Sequence, residues 1–259
     1  MKLLRWAFWR DWTKVSPNSG LGRVLRLPLR LIPKGTVVSV RAGLNHGMKW
    51  IVGSGIHSYW LGTYEIEKQM AIKAFIKPRM RVFDIGANAG FYTLSFSRLV
   101  GIQGQVWAFE PFAENAANIL RHTKLNYLQN VVLMQVVVAD RTGMVGFQAT
   151  NNNAMGAISE EKQYRVPAVS LDNLLADQLV PVPDLIKIDV EGAESLVLEG
   201  AKSILDKKKS ILFIALHGDE QKQRCQEILE SSGYNIFFLD GSALGSSALR
   251  SDEIYALPY

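Results

Sequence analysis

The sequence predicts an α/β fold with a doubly wound, mostly parallel sheet, and three features lead to this prediction. The chain has 259 residues, of which 48% are hydrophobic, enough for one large domain with extensions. From residue 81 onward, short apolar runs alternate with stretches at helical spacing. Acidic residues and glycines stand where several apolar runs end. Repeated strand–helix–strand order of this kind is typical of parallel sheets covered by helices.

The first part of the chain predicts a small cap. Residues 36–40 and 48–52 are β-prone and flank a turn-rich segment, so they predict a hairpin. Residues 65–77 have helical spacing, and the proline that follows ends the helix. We therefore divide the chain into a basic N-terminal segment with a β-hairpin and helical cap at residues 1–60 and a main domain at residues 61–259.

The main domain is predicted to alternate strands with helices. The predicted strands are 81–87, 105–110, 130–139, 185–190, 211–217, 234–239 and 253–257, and the last of them would be antiparallel. The predicted helices are 91–100, 113–127, 193–207 and 219–231. Residues 141–170 are polar and rich in turn formers, so they predict a hairpin inserted over the edge of the sheet.

The net charge of +5 is unevenly distributed along the chain. Residues 1–50 hold ten Lys and Arg residues and only one acidic residue, Asp11. Within them, Trp6, Trp9 and Trp12 lie beside basic residues, as in helices that bind membrane surfaces. Two interpretations stay open: residues 1–14 contact a membrane, or the tryptophans pack onto the main domain. No nucleic-acid partner is expected, because no Lys/Arg-rich run or zinc-finger spacing accompanies the basic residues.

Cysteine usage and hydropathy limit the cellular compartments in which the protein is expected. Arg5 and Arg10 interrupt any secretory apolar core, and no run reaches the ~18 apolar residues of a membrane span. The single cysteine, Cys225, excludes an internal disulfide, and the four histidines do not have zinc-like spacing. We therefore expect a cytoplasmic protein with at most peripheral membrane contact. No feature predicts an oligomeric state.

The loop after the first predicted strand of the main domain has the composition of a ligand-binding loop. Ligands of such sheets bind beyond the carboxyl ends of the strands. The loop combines an acid with small residues that allow close backbone approach, namely Asp84, Gly86, Ala87, Asn88 and Gly90. It differs from the dinucleotide fingerprint, because Asn88 replaces a glycine and an acid precedes the loop. A cationic amino-acid ligand suits this acid better than a phosphate does.

Two further strand ends carry acids. Glu110 follows Asp84 by 26 residues, precedes Pro111, and stands where an acid binds both hydroxyls of a ribose. Dinucleotide folds use an acid in the same way, so Glu110 alone does not separate the two classes of cofactor. Asp140 follows the third strand, where it either contacts an adenine amine or caps the turn that follows.

These residues resemble the FkbM-type methyltransferases, which use S-adenosylmethionine. The resemblance covers roughly residues 59–240 and rests on the motifs Leu61–Glu65, Val82–Thr93, Ala108–Pro111, Val169–Leu174 and Asp184–Glu194. It implies a class I methyltransferase (Rossmann-like) fold, with the loop at Asp84 around the methionine part of the cofactor and Glu110 on the ribose. It also implies O-methylation of a hydroxyl on a small molecule, sugar or glycolipid. One departure is Ala215, where the family usually has Glu two residues before the histidine.

The candidate catalytic residues follow the fourth and fifth strands. Strand alternation places Lys187 and Asp189 on one side, so the lysine is a candidate partner for the acid. His217 ends an apolar strand and is either a base or a substrate contact. Glu191 is a further catalytic candidate, whereas the first-turn position of Glu194 favours a helix-capping role.

Three assignments remain beside these. Asp189 and Glu191 offer oxygen ligands for a divalent cation, but the sequence fixes no full coordination set, so no metal is predicted. Glu65, with Tyr64, precedes the first sheet strand by a helix and is a candidate lid residue over the cofactor. Two other function classes stay open: a nicotinamide-dependent oxidoreductase, and a non-catalytic protein that binds the cofactor or a membrane surface. The absent glycine at Asn88 argues against the first.

Overall fold

The computed structural model of this protein describes residues 29, 31–149, 156–158, 164–245, 248–249 and 251–259. The chain divides into two compact units, Met1–Tyr64 and Glu65–Tyr259. The tryptophan-rich residues 1–14, for which membrane contact is one interpretation, lie outside the described residues. None of the helices in the described ranges is both long and apolar enough to cross a membrane.

The N-terminal unit contains the predicted hairpin. Strands β1 (Val37–Ser39) and β2 (Lys49–Ile51) pair antiparallel, and a short helix, α1 (His57–Leu61), follows them. Trp50 of β2 is fully buried and packs edge-on against Tyr59 of the helix, with 5.4 Å between ring centroids. The hairpin and the helix therefore form a small core of their own, as expected for the cap.

The main unit is built on one large sheet. Its strands are β3 (Arg81–Ile85), β4 (Gln105–Phe109), β5 (Val131–Met134), β10 (Leu185–Ile188), β11 (Ile211–Ala215), β12 (Tyr234–Phe238) and β13 (Glu253–Pro258). Within the described residues they have the order β12-β13-β11-β10-β3-β4-β5. β13 pairs antiparallel with both β11 and β12, whereas the other neighbouring strands in this order are parallel. The predicted antiparallel last strand is confirmed, and so is the class I methyltransferase fold, to which this order corresponds.

Helices connect the strands of this sheet along the chain. They are α2 (Ile66–Phe75), α3 (Phe91–Val100), α4 (Ala113–Leu125), α5 (Leu171–Ala176), α6 (Glu194–Glu199), α7 (Lys202–Asp206) and α8 (Asp219–Ser231). The central strands β3 and β10 are buried along most of their length, as expected for parallel strands packed on both faces. Asp84 and Lys187 interrupt these apolar strands, and a buried charge of this kind needs a partner.

The predicted single strand at residues 130–139 is wrong, because the chain turns between two strands there. Val136 N donates to Met134 O at 3.0 Å, so β5 ends and a second sheet begins at β6 (Val137–Val138). The other strands of this second sheet are β7 (Gly143–Ala149), β8 (Gly156–Ile158) and β9 (Tyr164–Val169), and their order is β6-β9-β7-β8. The predicted inserted hairpin is therefore part of a larger sheet.

The predicted helix at residues 193–207 is also wrong in its continuity, because α6 and α7 are separated at Gly200. A Cβ atom at Gly200 would lie 2.1 Å from Ala139 O, so the backbones pass too closely for any other residue. Helix α5 was not predicted. Ser170 caps it by accepting a hydrogen bond from Asn173 N at 3.2 Å.

Candidate active site

The candidate site lies at one edge of the main sheet, where the parallel strands β3, β4, β10 and β11 end. Adjacent parallel strands present their carboxyl ends at the same edge, which is where ligands of such sheets bind. Lys187 of β10 is paired in register with Asp84 of β3. The ends of β3 and β10, which lie far apart in sequence, are therefore adjacent here.

The loop that follows β3 is held in a conformation that requires glycine. Gly86 has φ +72°, and a Cβ atom there would lie 1.8 Å from Asp189 O. Gly86 N and Ala87 N both donate to Phe109 O, at 3.0 and 3.1 Å. Asn88 (φ 51°) and Gly90 (φ 92°) also adopt the left-handed conformation. The backbones of three strand ends thus pack without space for a side chain at residue 86.

Glu110 connects the first loop with the second. Its Oε2 accepts from Asn88 N at 2.8 Å and its Oε1 from Phe112 N at 2.9 Å. Burial raises the pKa of Glu110, while the hydrogen bonds from Phe112 and Asn88 oppose this rise. A carboxylate has about four acceptor positions, so the side chain retains capacity for a ligand hydroxyl. Pro111 is half-buried beside it.

Lys187 is buried among carboxylates at the centre of the site. Its Nζ lies 3.4 Å from Asp84 Oδ1 and 3.4 Å from Asp189 Oδ2, and donates to Gly86 O at 3.0 Å. Burial lowers the pKa of Lys187, but Asp189 and Asp84 outweigh it and the net pKa is raised. Thr93 Oγ1 donates to Asp84 Oδ2 at 2.6 Å. The lysine expected as the partner of Asp189 therefore pairs with both acids.

A second buried lysine, Lys68 of α2, completes this network and was not found from the sequence. Its Nζ lies 2.8 Å from Glu253 Oε1, 3.3 Å from Glu65 Oε2 and 3.8 Å from Asp189 Oδ2. Tyr92 OH donates to Glu65 Oε2 at 2.9 Å. Both lysines hold Asp189 in its ionised form: burial raises the pKa of Asp189, but Lys187 and Lys68 lower it further.

Glu253 lies in the sheet beside Ala215, the position at which the sequence departs from the family pattern. It stands opposite Ala215 in the antiparallel pair of β11 and β13, and directly paired side chains lie on the same face of a sheet. The neighbouring strand thus supplies a carboxylate beside the position where the family usually has one. No signal in the sequence indicated this pairing, because it depends on the strand order.

The histidine of the fifth strand end lies between two carboxylates. His217 Nδ1 lies 2.8 Å from Glu194 Oε1, and its Nε2 lies 3.4 Å from Glu191 Oε2. The hydrogen bond to Glu194 raises the pKa of His217 to about 9, despite partial burial. The side chain is therefore protonated near neutral pH in this arrangement and is then no base. Glu194 also accepts from Gly192 N at 3.0 Å, in keeping with a local capping role.

Within the described residues, Asp140 makes no ion pair with these groups. Its carboxylate forms an ion pair with the neighbouring Arg141, at 3.3 Å, and its side chain is 30% exposed.

Cys225 is buried, and burial raises the pKa of its thiol to about 12, which makes the thiolate scarce. The cysteine is therefore structural.

Comparisons with known proteins identify the family. A family model described as the methyltransferase FkbM domain matches residues 84–236. The chain belongs to the FkbM methyltransferase family. The matched range begins at Asp84 and includes Glu110, Asp189 and His217.

Two named methyltransferases are similar to the chain. The 2-O-methyltransferase NoeI of Sinorhizobium fredii is 28% identical over 155 residues, which cover 52% of this chain and 63% of NoeI. The hexuronic acid methyltransferase AglP of Haloferax volcanii is 22% identical over 153 residues, which cover 58% of this chain and 62% of AglP. The chain thus spans less than two thirds of each relative. The solved FkbM methyltransferase of Methylobacillus flagellatus has a TM-score of 0.48 and 19% identity, over 68% of this chain and 43% of that one.

The site of the FkbM domain carries an excess of negative charge. Its ion pairs join six carboxylates to two lysines and one histidine: Glu65, Asp84, Asp189, Glu191, Glu194 and Glu253 to Lys68, Lys187 and His217. These six carboxylates outnumber the three cationic groups two to one. Buried carboxylates without a counter-charge are unfavourable. The arrangement therefore favours a cationic ligand.

His122 of α4 supports the loop that follows β3. It is fully buried, and its Nδ1 lies 2.9 Å from Ala89 O in the loop. Burial lowers the pKa of His122 to about 4, which the carbonyl of Ala89 only partly opposes. The histidine is therefore neutral and structural near neutral pH.

We expect this histidine to make the fold sensitive to acid. The unfolded chain binds the proton near pH 6.5 and the folded chain only near 4, so stability is lost as pH falls between them. This difference corresponds to about 2 kcal/mol of unfolding free energy between about pH 7 and about pH 5. Urea unfolding at both pH values measures it. His122→Gln should lose this part of the pH dependence and the exposed-site control His46→Gln should keep it; equal pH dependence in all three proteins would contradict the assignment.

Proposed function

We propose that this chain is an S-adenosylmethionine-dependent methyltransferase that methylates a hydroxyl of a sugar, a glycolipid or another small molecule. The proposal rests mainly on the hydrogen bond from Asn88 N to Glu110 Oε2, which connects the loop after β3 with the end of β4. Both strand ends are packed within a site that is rich in carboxylates. A sulfonium cofactor that also carries an amino group matches this charge. A nicotinamide dinucleotide, with its pyrophosphate, does not.

In this proposal, different strand-end residues bind different parts of the cofactor. Backbone groups of the loop from Gly86 to Gly90 approach the methionine part, and Glu110 binds the ribose hydroxyls. Asp84 is fully buried, so it acts by holding Lys187 and the loop in place. Glu65 is 26% exposed and is therefore the carboxylate available to the amino group. Asp140 remains the candidate for the adenine amine.

The cofactor supplies an activated methyl group, so the protein has to align the acceptor oxygen with it and exclude water. The acceptor hydroxyl would take up this methyl group and lose its proton to a base of the protein, and the cofactor would leave as the neutral thioether. Asp189 is 19% exposed, ionised and fixed by two lysines, and we assign it as the proton acceptor. Glu191 and His217 then contact the acceptor.

A sugar acceptor is the narrower part of the proposal. It is supported by the relatives NoeI and AglP, whose names refer to 2-O-methylation and to a hexuronic acid. The chain spans only part of each relative, so we propose the class of acceptor and not an individual compound. A carboxylate-lined site suits hydroxyl groups, which donate hydrogen bonds to carboxylates.

Transfer of a labelled methyl group tests the proposal. The protein is incubated with methyl-tritiated cofactor and pools of neutral sugars, hexuronic acids and glycolipids. We expect a labelled product in at least one pool. Asp189→Asn should lower turnover by about 100-fold or more while cofactor affinity stays the same. Absence of labelled product from every pool, with the cofactor bound, would favour a non-catalytic binding protein.

We also propose a cytoplasmic location with peripheral membrane contact through residues 1–14, on the tryptophans and basic residues of the sequence alone. Sedimentation with anionic liposomes tests this contact. Deletion of residues 1–14 should abolish binding. Unchanged liposome binding after the deletion would remove these residues from any membrane role.

A further inference from the structure

We propose that Asp189, Glu191 and His217 bind a divalent cation of the Mn²⁺ or Mg²⁺ type. One ligand atom of each residue lies within 4.8 Å of those of the other two. His217 Nε2 and Glu191 Oε2 are 3.4 Å apart. Octahedral ligands ~2.1 Å from an ion are ~3 Å from their nearest neighbours, so only small side-chain movements are needed to enclose one. Two carboxylates with one imidazole suit Mn²⁺ better than Mg²⁺, which prefers oxygen alone.

The orientation of His217 agrees with a metal-binding role. Its Nδ1 is engaged by Glu194 Oε1 at 2.8 Å, which leaves Nε2 directed to Glu191. Histidines that bind metals usually donate their other N–H group to a carboxylate or carbonyl, which fixes the ring and the tautomer. Glu194 supplies this support from a fully buried position.

Unbalanced charge around Glu194 independently favours a cation. Glu194 is fully buried, and within the described residues its Oε2 has no hydrogen-bond partner. Both lysines approach Asp189 through Oδ2, so we assign Oδ1 to the cation. Burial of carboxylates without sufficient counter-charge is unfavourable, and a divalent ion that replaces the Nε2 proton of His217 adds a net positive charge at the place of the excess.

The cation also gives the site a way to bind its acceptor. Three protein ligands leave about three positions of an octahedron open for water or for acceptor oxygens. A hydroxyl bound there becomes more acidic, so its proton is lost more easily to solvent. This role rests on the proposed methyl transfer, whereas binding of the ion does not. It departs from the sequence-based prediction of no metal, because the fold brings His217 to the two acids.

Manganese binding to the metal-free 259-residue protein tests the inference. Free Mn²⁺ is followed by electron paramagnetic resonance as MnCl₂ is added without S-adenosylmethionine. We expect saturable binding of about one ion per chain. Glu191→Gln and His217→Gln should weaken it at least about tenfold, and Glu194→Gln about 10- to 100-fold through the histidine. Glu227→Gln, an exposed carboxylate on α8, is the matched control and should bind as the unmodified protein does.

Circular dichroism establishes that each variant is folded, and two ligand variants ensure that one misfolded protein does not decide the test. Absence of saturable Mn²⁺ binding, or equal binding by the folded ligand variants and the control, would overturn the inference. Calorimetry with S-adenosylmethionine in the presence of a chelator separates the two proposals. Cofactor binding and methyl transfer without Mn²⁺ binding would overturn only the cation, and Mn²⁺ binding without cofactor binding would overturn only the proposed function.

Discussion

Replacing Gly86 with alanine is expected to abolish S-adenosylmethionine binding and to lower the free energy of unfolding by about 3–5 kcal/mol. The added Cβ atom would lie 1.8 Å from Asp189 O, a backbone atom that no rotamer change can move. The residue also has φ +72°, which is strained for alanine. Relief of the overlap must separate the ends of β3 and β10, and these ends carry Lys187 and the loop proposed to bind the cofactor.

Gly101→Ala is the matched control for this substitution. Gly101 has φ +70°, almost the same as Gly86, but nothing lies within 4 Å of the position that its added Cβ atom would occupy. It should therefore show only the backbone strain of its own conformation (φ 70°, ψ 179°), about 1–3 kcal/mol, with unchanged cofactor affinity. Urea unfolding and titration calorimetry on both variants make the comparison. Equal losses of stability, with cofactor bound by both variants, would mean that the strand ends are not packed as described.

Lys187→Met is expected to destabilise the fold by about 3–5 kcal/mol, because it removes one partner of a buried charge pair. Asp84 is fully buried, and its ion pair in the described site is with Lys187. Without the lysine this carboxylate would have to be protonated or brought into water. Asp189 would lose one of its two lysines and keep Lys68 at 3.8 Å.

The double variant Lys187→Met with Asp84→Asn separates charge from packing. Removal of both charges should restore part of the lost stability, with a coupling energy of about 1–3 kcal/mol between the two sites. Urea unfolding of the single and double variants gives this coupling. If the two losses simply add, Lys187 is not the counter-charge of Asp84 and the central ion pair is wrong.

Elements with strong local signals were predicted well from the sequence. The bounds of α3 and α8 match the prediction, and α3 is flanked by Gly90 and Gly101, both at positive φ. Strand alternation placed Lys187 beside Asp189, and their atoms lie 3.4 Å apart. Local periodicity and turn chemistry are sufficient for such features, because each depends on residues close together in the chain.

Features that depend on contacts between distant segments were not predicted. In the sequence Lys68 resembles an ordinary lysine on a helix surface, and only the fold buries it against Glu253, 185 residues away. The break between α6 and α7 at Gly200 likewise results from the close passage of Ala139. The sequence alone does not show that Glu253 lies beside Ala215, because the two residues are brought together only by the pairing of β11 with β13.

Calorimetric titration of S-adenosylmethionine into the unmodified protein and Glu110→Ala tests the central claim most directly. The claim is that the joined ends of β3 and β4 bind this cofactor. We expect saturable binding by the unmodified protein and at least about tenfold weaker binding by the variant, which loses a hydrogen-bonding partner worth ~1.5–3 kcal/mol. Equal affinity in a folded Glu110→Ala protein, or binding of a nicotinamide dinucleotide in place of S-adenosylmethionine, would contradict it.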